Sequence, residues 1–296
     1  MDGILPLWKP PGMTSHDCVM KVRRLLQTKK VGHTGTLDPD AEGVLPLCIG
    51  RATKLVPYMT NTAKEYIATV QLGTATETED ASGAVVEEAT ITHMPSNLEI
   101  EQALNAFKGT IVQIPPMYSA VRVKGKHLYE YARAQEQVER PERHVIINQI
   151  SLLPSTGQAQ HKFDIKVVCS KGTYIRTLCV DIGKKLGYPA HMAKLYRTKT
   201  GSVTKKDTYT FDHIQAAVKN AQPDTLLLPM TAGIEGMERL TVDEKTKQKV
   251  LQGQKLPLPD QRLNDPFAII ADGELLAIYQ YHPNNNDEIK PVRVFN

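Results

Sequence analysis

The sequence predicts a mixed α+β fold that ends in a small β-rich domain, on three observations. Some segments repeat apolar residues at helical spacing and others alternate them as strands do. The two kinds are interspersed, without the strict strand–helix alternation of a doubly wound sheet. From about Glu238 the pattern changes to short alternating runs around Asp272-Gly273. With 296 residues, the chain can bury a large core and hold one large domain plus a small one.

The elements follow in order. Thr14-Ser15 precede Val19, Val22, Leu25 and Leu26, a helical repeat with a capping residue in front and with Lys21, Arg23 and Arg24 on its polar side. The stretch GHTGTLDP, Gly32 to Pro39, follows and continues as DAEGVLPLCIGRATK to Lys54. Its glycines and Asp-Pro pair predict a loop without regular structure. Residues 65–73 alternate as Tyr66, Ala68, Val70 and Leu72 and predict a strand. Leu98, Ala103, Leu104 and Phe107 predict a helix over 97–108, closed by Gly109. Further strands are expected over 145–153 and 162–169, and a helix over 174–186 that stops before Gly187. Residues 114–141, with a Pro-Pro pair, three tyrosines and several basic residues, read either as a binding loop or as an ordinary hairpin and helix. A helix over 241–252 is followed by FAIIADGELLAIYQY, where Asp-Gly between apolar runs predicts a tight hairpin.

Composition excludes several classes. The start, MDGILPLWKPPGMTS, lacks the basic-then-apolar pattern of a signal peptide. No stretch approaches the roughly 18 apolar residues of a membrane span. The four cysteines, Cys18, Cys48, Cys169 and Cys179, have neither CxxC spacing nor disulfide-framework density, so a cytoplasmic protein without structural zinc is expected. Net charge is only +4, but residues 162–206 hold eleven Lys/Arg against two acids. That segment suits a polyanion, and equally a solvated basic face.

Read from the residues alone, the chemistry stays open. GHTGTLD lacks the Gly-Lys-Ser/Thr ending of a phosphate loop. His33, His127, His144 and His161 have no ligand spacing, and no nucleophile elbow is present. A single constrained carboxylate without a second acid argues against ordinary glycoside hydrolysis. Taken by itself, Asp38 before Pro39 is turn chemistry.

The motifs add to that. GHTGTLDPDAEGVLPLCIGRATK resembles the signature of the TruB-type bacterial tRNA pseudouridine synthases, which isomerise the uridine at position 55 of the T arm. WKPPGMTSHD (8–17), KEYIATVQLG (64–73), CSKGTYIRTL (169–178) and IPPMYSAVRVKGKHLYEYAR are similar to further motifs of that family, in the family's order. The resemblance implies a mainly antiparallel mixed-sheet catalytic domain over 1–237, an RNA-gripping insertion at about 114–141, and a PUA-like RNA-binding domain over 238–296. It implies Asp38 as the essential carboxylate, Arg176 as its salt-bridge partner, Tyr66 as the face on which the flipped base stacks, and Tyr174 as a second active-site tyrosine. His33 matches the residue that splays the T arm; Lys9 and Leu195 match positions near the pocket. Arg122, Lys124, Lys126 and Arg133 suit phosphate contacts. Isomerisation oxidises nothing and imports no group, so neither cofactor nor metal is expected, and the expected partner is tRNA alone, with no obligate protein partner. A guide-RNA-dependent synthase and a non-catalytic RNA-binding protein are the competing readings.

Overall fold

The computed structural model describes residues 1–154 and 160–296. The chain divides into two compact units: Met1–Pro39, Val44–Asn61 and Gly201–Asn296 form one, and Asp40–Gly43 with Thr62–Thr200 form the other.

In the first unit, a strand at Gly3–Lys9 leads to a helix at Ser15–Leu25. The helix begins where the sequence placed it, because Thr14 and Asp17 make a reciprocal capping box: Asp17 N–H donates to Thr14 Oγ1 (3.0 Å) and Thr14 N–H to Asp17 Oδ2 (2.9 Å). Its buried side, Cys18, Val19 and Val22, packs with Leu5, Leu7, Leu45, Leu47 and Ile49. The stretch expected to lack regular structure is only partly irregular. Val31–His33 pairs antiparallel with the end of a strand at Glu42–Ile49, and Gly50–Leu55 forms a 3-10 helix. The run VLPLCI is apolar on both faces, and a strand buried on both sides shows no alternation to read.

The C-terminal part of this unit is a five-stranded sheet in the order Arg239–Thr241, Phe267–Ala271, Glu274–Tyr281, Glu288–Val294, Leu256–Pro257. Asp272 (φ 52°) and Gly273 (φ 77°) make the expected tight hairpin between its second and third strands. Val250, Phe267, Ile269 and Tyr279 form one core beneath the helix at Glu244–Leu251. Ala268, Ile270, Ile278 and Phe295 form a second core together with Ile4, Cys48, Leu55, Met59 and Ile234. The last strand is also tied by Lys54 Nζ, which donates to Val294 O (2.6 Å), and Arg51 Nη1 reaches Phe295 O (2.9 Å).

In the second unit five strands run antiparallel in the order Ala190–Thr200, Lys64–Leu72, Lys162–Cys169, Arg143–Leu152, Gly109–Gln113. Glu42 and Gly43 pair parallel with Tyr196 and Arg197, which makes the sheet mixed but mainly antiparallel. Helices at Asn97–Asn105 and Ile175–Leu186 pack on it. The first stops three residues before the expected 108, because Ala106, Phe107 and Lys108 tighten to i−3 hydrogen bonds. The second ends on Gly187 in the left-handed conformation (φ 84°). Residues 114–141 take the hairpin-and-helix form: Arg122–Val123 pairs with Lys126–His127 across Lys124-Gly125, and a helix follows at Leu128–Ala134. Val121, Leu128 and Tyr131 are its buried anchors, while Arg122, Lys124, Lys126 and Arg133 are exposed.

Candidate active site

Asp38 lies in the irregular residues 34–39 of the first unit, half-buried. The peptide groups on both sides of it are clamped. Before it, Leu37 N–H donates to Ser15 Oγ (2.9 Å) at the first turn of the Ser15–Leu25 helix. After it, Pro39 O accepts from Lys9 Nζ (2.8 Å) and from Gly12 N–H (3.0 Å). Lys9 is fully buried, and its ammonium also donates to Pro10 O (2.9 Å). A buried ammonium needs such acceptors, so Lys9 acts here as a backbone tie for the loop. Thr34 N–H and Oγ1 both bond Pro46 O (3.2 Å each), and His33 Nδ1 accepts from Gly35 N–H (3.4 Å). The loop is thus an irregular segment over-determined by tertiary bonds, which fixes the backbone that carries its carboxylate.

In the second unit Tyr66 stands on the central strand Lys64–Leu72, between Val167 on one side and Arg197 on the other. Leu195, opposite Ala68, shares that face, so Tyr66 and Leu195 are brought together on the buried side of the sheet. A bulge between Arg197 and Lys199 adjoins this pair, a device that re-aims side chains. Two cations missed in the sequence lie here. Arg197 is 1% exposed, and Lys64, 5% exposed, has its pKa pulled down to about 8 by burial and then by Arg197. Gly43 must be glycine: it adopts φ 136°, and a Cβ there would collide with the Arg197 backbone.

Tyr174 and Arg176 open the Ile175–Leu186 helix, Tyr174 as its N-cap residue. Arg176 is 5% exposed and its guanidinium is held by main chain: Nη1 donates to Thr78 O (3.0 Å) and Nη2 to Tyr118 O (3.0 Å). Asp80 Oδ2 lies 3.7 Å from Nη1. Asp80 is itself fixed, since its Oδ1 accepts from Thr78 Oγ1 (2.7 Å), Ser82 Oγ (2.6 Å) and Ser82 N–H (3.0 Å). Next to it Glu79, in a left-handed conformation (φ 63°), accepts from Thr177 Oγ1 (2.7 Å). Burial pushes the Glu79 carboxyl above its ordinary range. The turn at 77–83 was missed in the sequence; its Thr-x-Asp-x-Ser-Gly run was a legible signal for a carboxylate wrapped by its own turn.

Lys9, His33 and Asp38 therefore belong to the first unit, and Tyr66, Tyr174, Arg176 and Leu195 to the second. Arg122, Lys124 and Lys126 lie on the hairpin of the insertion, in the second unit. Among the described residues no cluster of His, Cys, Asp or Glu could hold a metal ion, and no helix is long and apolar enough to cross a membrane. The arrangement offers a rigidly presented carboxylate in one unit, and in the other an aromatic face with an anchored guanidinium.

Known proteins are similar to this chain in sequence and fold. Residues 23–175 match the TruB family pseudouridylate synthase N-terminal domain, and residues 176–235 the tRNA pseudouridylate synthase B C-terminal domain. The chain is 58% identical to the tRNA pseudouridine synthase B of Oceanobacillus iheyensis, over 100% of this chain and 98% of the relative. It is 46% identical to the tRNA pseudouridine synthase B of Bacillus subtilis, over 99% and 97%. Among solved structures, a chain of a Cbf5-Nop10-Gar1 complex superposes with a TM-score of 0.75 at 25% identity, covering 99% of this chain and 85% of that one.

Proposed function

Because the chain belongs to the TruB family of pseudouridylate synthases, we propose that it isomerises uridine 55 in the T arm of tRNA to pseudouridine. The observation that supports this most is the clamped carboxylate loop. A group that must meet a sugar carbon or a sugar proton has to be presented within a few tenths of an ångström, and the bonds from Ser15, Gly12 and Lys9 hold the Asp38 backbone on both sides.

In this reading the target uridine leaves the T loop and its base stacks on Tyr66, with His33 keeping the arm open. The ionised Asp38 acts on the ribose, covalently or by taking a sugar proton, as the N1–C1′ bond breaks. The uracil turns in place and C5 bonds to C1′; the proton lost from C5 is balanced by one gained at N1, and Tyr174 stands ready for that transfer. Arg176 partners the Asp38 carboxylate and keeps it ionised in a site that excludes water. Leu195 walls the pocket, and Lys9 holds the Asp38 loop from behind. Arg122, Lys124 and Lys126 grip phosphates, and residues 238–296 form the small PUA-like domain that adds RNA contacts to the catalytic domain at 1–237. The protein works in the cytoplasm on tRNA without an obligate protein or guide RNA; the long insertion at 114–141 favours direct reading of tRNA.

The test is to incubate the purified protein with an unmodified tRNA transcript and no other RNA, and to map pseudouridine. One modification, at position 55, is expected. Modification only after a second RNA is added would favour the guided reading, and none in either case would remove the enzymatic one.

A further inference from the structure

We infer that Gln113 is a positioning residue that sets the angle at which Tyr174 and Arg176 are presented, and that it ties them to the RNA-gripping insertion. This rests on the reading that those two residues serve the flipped nucleotide. Gln113 closes the edge strand Gly109–Gln113 and is 1% exposed. Its Oε1 accepts from Tyr174 N–H (2.9 Å) while its Nε2 donates to Tyr174 O (3.1 Å). One side chain thus satisfies both peptide groups of one residue, 61 positions away.

Chemistry explains why an amide stands there. Only Asn and Gln present a donor and an acceptor side by side on a neutral planar group, and Gln has the longer reach. Tyr174 caps its helix without a side-chain hydrogen bond, having no short side-chain oxygen for that task. The glutamine grips the capping residue instead, so the helix starts from a fixed peptide plane. Arg176 follows two residues later, and its direction depends on that plane.

The insertion begins directly after Gln113. Five residues on, Tyr118 O accepts from Arg176 Nη2 (3.0 Å), and from the far root Arg140 Nη1 donates to Pro115 O (3.0 Å). The helix start and the insertion root are therefore joined at two points, Gln113 to Tyr174 and Tyr118 to Arg176. RNA held by the hairpin tip reaches the active-site residues through this root.

Two variants test the assignment on full-length protein with tRNA transcript. Gln113→Leu removes both bonds. Its kcat is expected to fall on the order of tenfold to a hundredfold, with KM within about twofold of wild type because the phosphate contacts lie elsewhere. Gln113→Glu discriminates placement from mere folding. Its neutral acid offers C=O and O–H in the amide's pattern, whereas its anion cannot donate to Tyr174 O. Relative to the wild-type profile, kcat of this variant should recover as pH falls. The charged groups on the segments packed around it are Arg140, Arg143, His144, Lys171 and Arg176 together with the acids Glu139 and Glu142, and Glu79 lies against the first turn of the helix through Thr177, so recovery is expected wherever falling pH protonates the introduced acid. A folded Gln113→Leu enzyme with wild-type kcat would overturn the inference. So would losses that track melting temperature alone in both variants, with pH profiles parallel to wild type. Wild-type protein that makes no pseudouridine would strike the proposed function instead.

Discussion

The Asp38 loop and the start of the Ile175–Leu186 helix solve the same problem in opposite ways. Around Asp38, side chains reach into backbone: Ser15 and Lys9 hold the peptide groups of Leu37 and Pro39. At Arg176, backbone reaches the side chain: the carbonyls of Thr78 and Tyr118 hold the guanidinium. The difference follows from the groups presented. A carboxylate has only acceptors, and every donor bonded to it lowers its basicity, so clamps on the neighbouring peptides fix it without adding to that load. A guanidinium has five donors in a rigid fork and can give two or three to structure while keeping its charge. The first arrangement is exposed to changes of side chain, the second to changes of loop shape.

Substitutions can break or sharpen this contrast. The largest effect is expected for Asp38→Asn, which keeps shape and removes the anion. Turnover should fall on the order of a thousandfold or more while tRNA binding stays near wild type. Single-turnover kinetics beside a filter-binding assay would check it, and turnover within about tenfold of wild type would sink the role given to Asp38. Arg176→Lys comes next. A lysine keeps the charge but cannot serve Thr78 O, Tyr118 O and Asp80 together, so kcat should drop about a hundredfold. Unchanged kcat would show that charge alone is needed.

Lys9→Met should cost less activity and more stability. Losing the charged donor to the Pro10 and Pro39 carbonyls, in bonds that are only part-buried, costs about 2 kcal/mol, read by urea denaturation. The kcat should fall further than the tRNA affinity, because the loop loosens and the phosphate contacts remain. Equal losses in both would mean that Lys9 meets RNA directly.

The smallest effect concerns Glu79, whose folded pKa is raised above the ordinary 4.5 by burial. A carboxyl with a raised folded pKa favours folding most below its unfolded pKa and loses that advantage as pH rises through the folded value. Wild type should therefore lose stability relative to Glu79→Gln as pH climbs from about 4 upward through the raised pKa. Denaturation midpoints for the two proteins across that range would measure it, and a difference of opposite slope would refute the burial argument.

Much of the scaffold was legible. Thr14-Ser15 ahead of Val19, Val22, Leu25 and Leu26 announced the first helix; Asp272-Gly273 announced the hairpin; Tyr66, Ala68, Val70 and Leu72 announced the central strand. Each rests on a residue-specific conformational or capping preference acting within a few positions, and such preferences are written in residue types. The Glu42–Ile49 strand was not legible, because burial on both faces erased the alternation that would have marked it.

The sequence by itself determined many of the segments that are helix or strand, and the motif in which Asp38 stands. The tertiary structure decided what holds the site. Thr78 and Tyr118 hold Arg176 through carbonyls 98 and 58 residues away. A carbonyl belongs to every residue alike, so no choice of side chain at those positions signals the bond. Gln113 did have a side chain to read, but its meaning depended on a partner 61 residues distant. The same holds for the C-terminal sheet, whose alternation was visible, while its packing of Phe295 and Ile278 with Ile4 and Leu55 was not. Burial of apolar surface is non-directional and favours any apolar face, and only the assembled chain selects which face it meets.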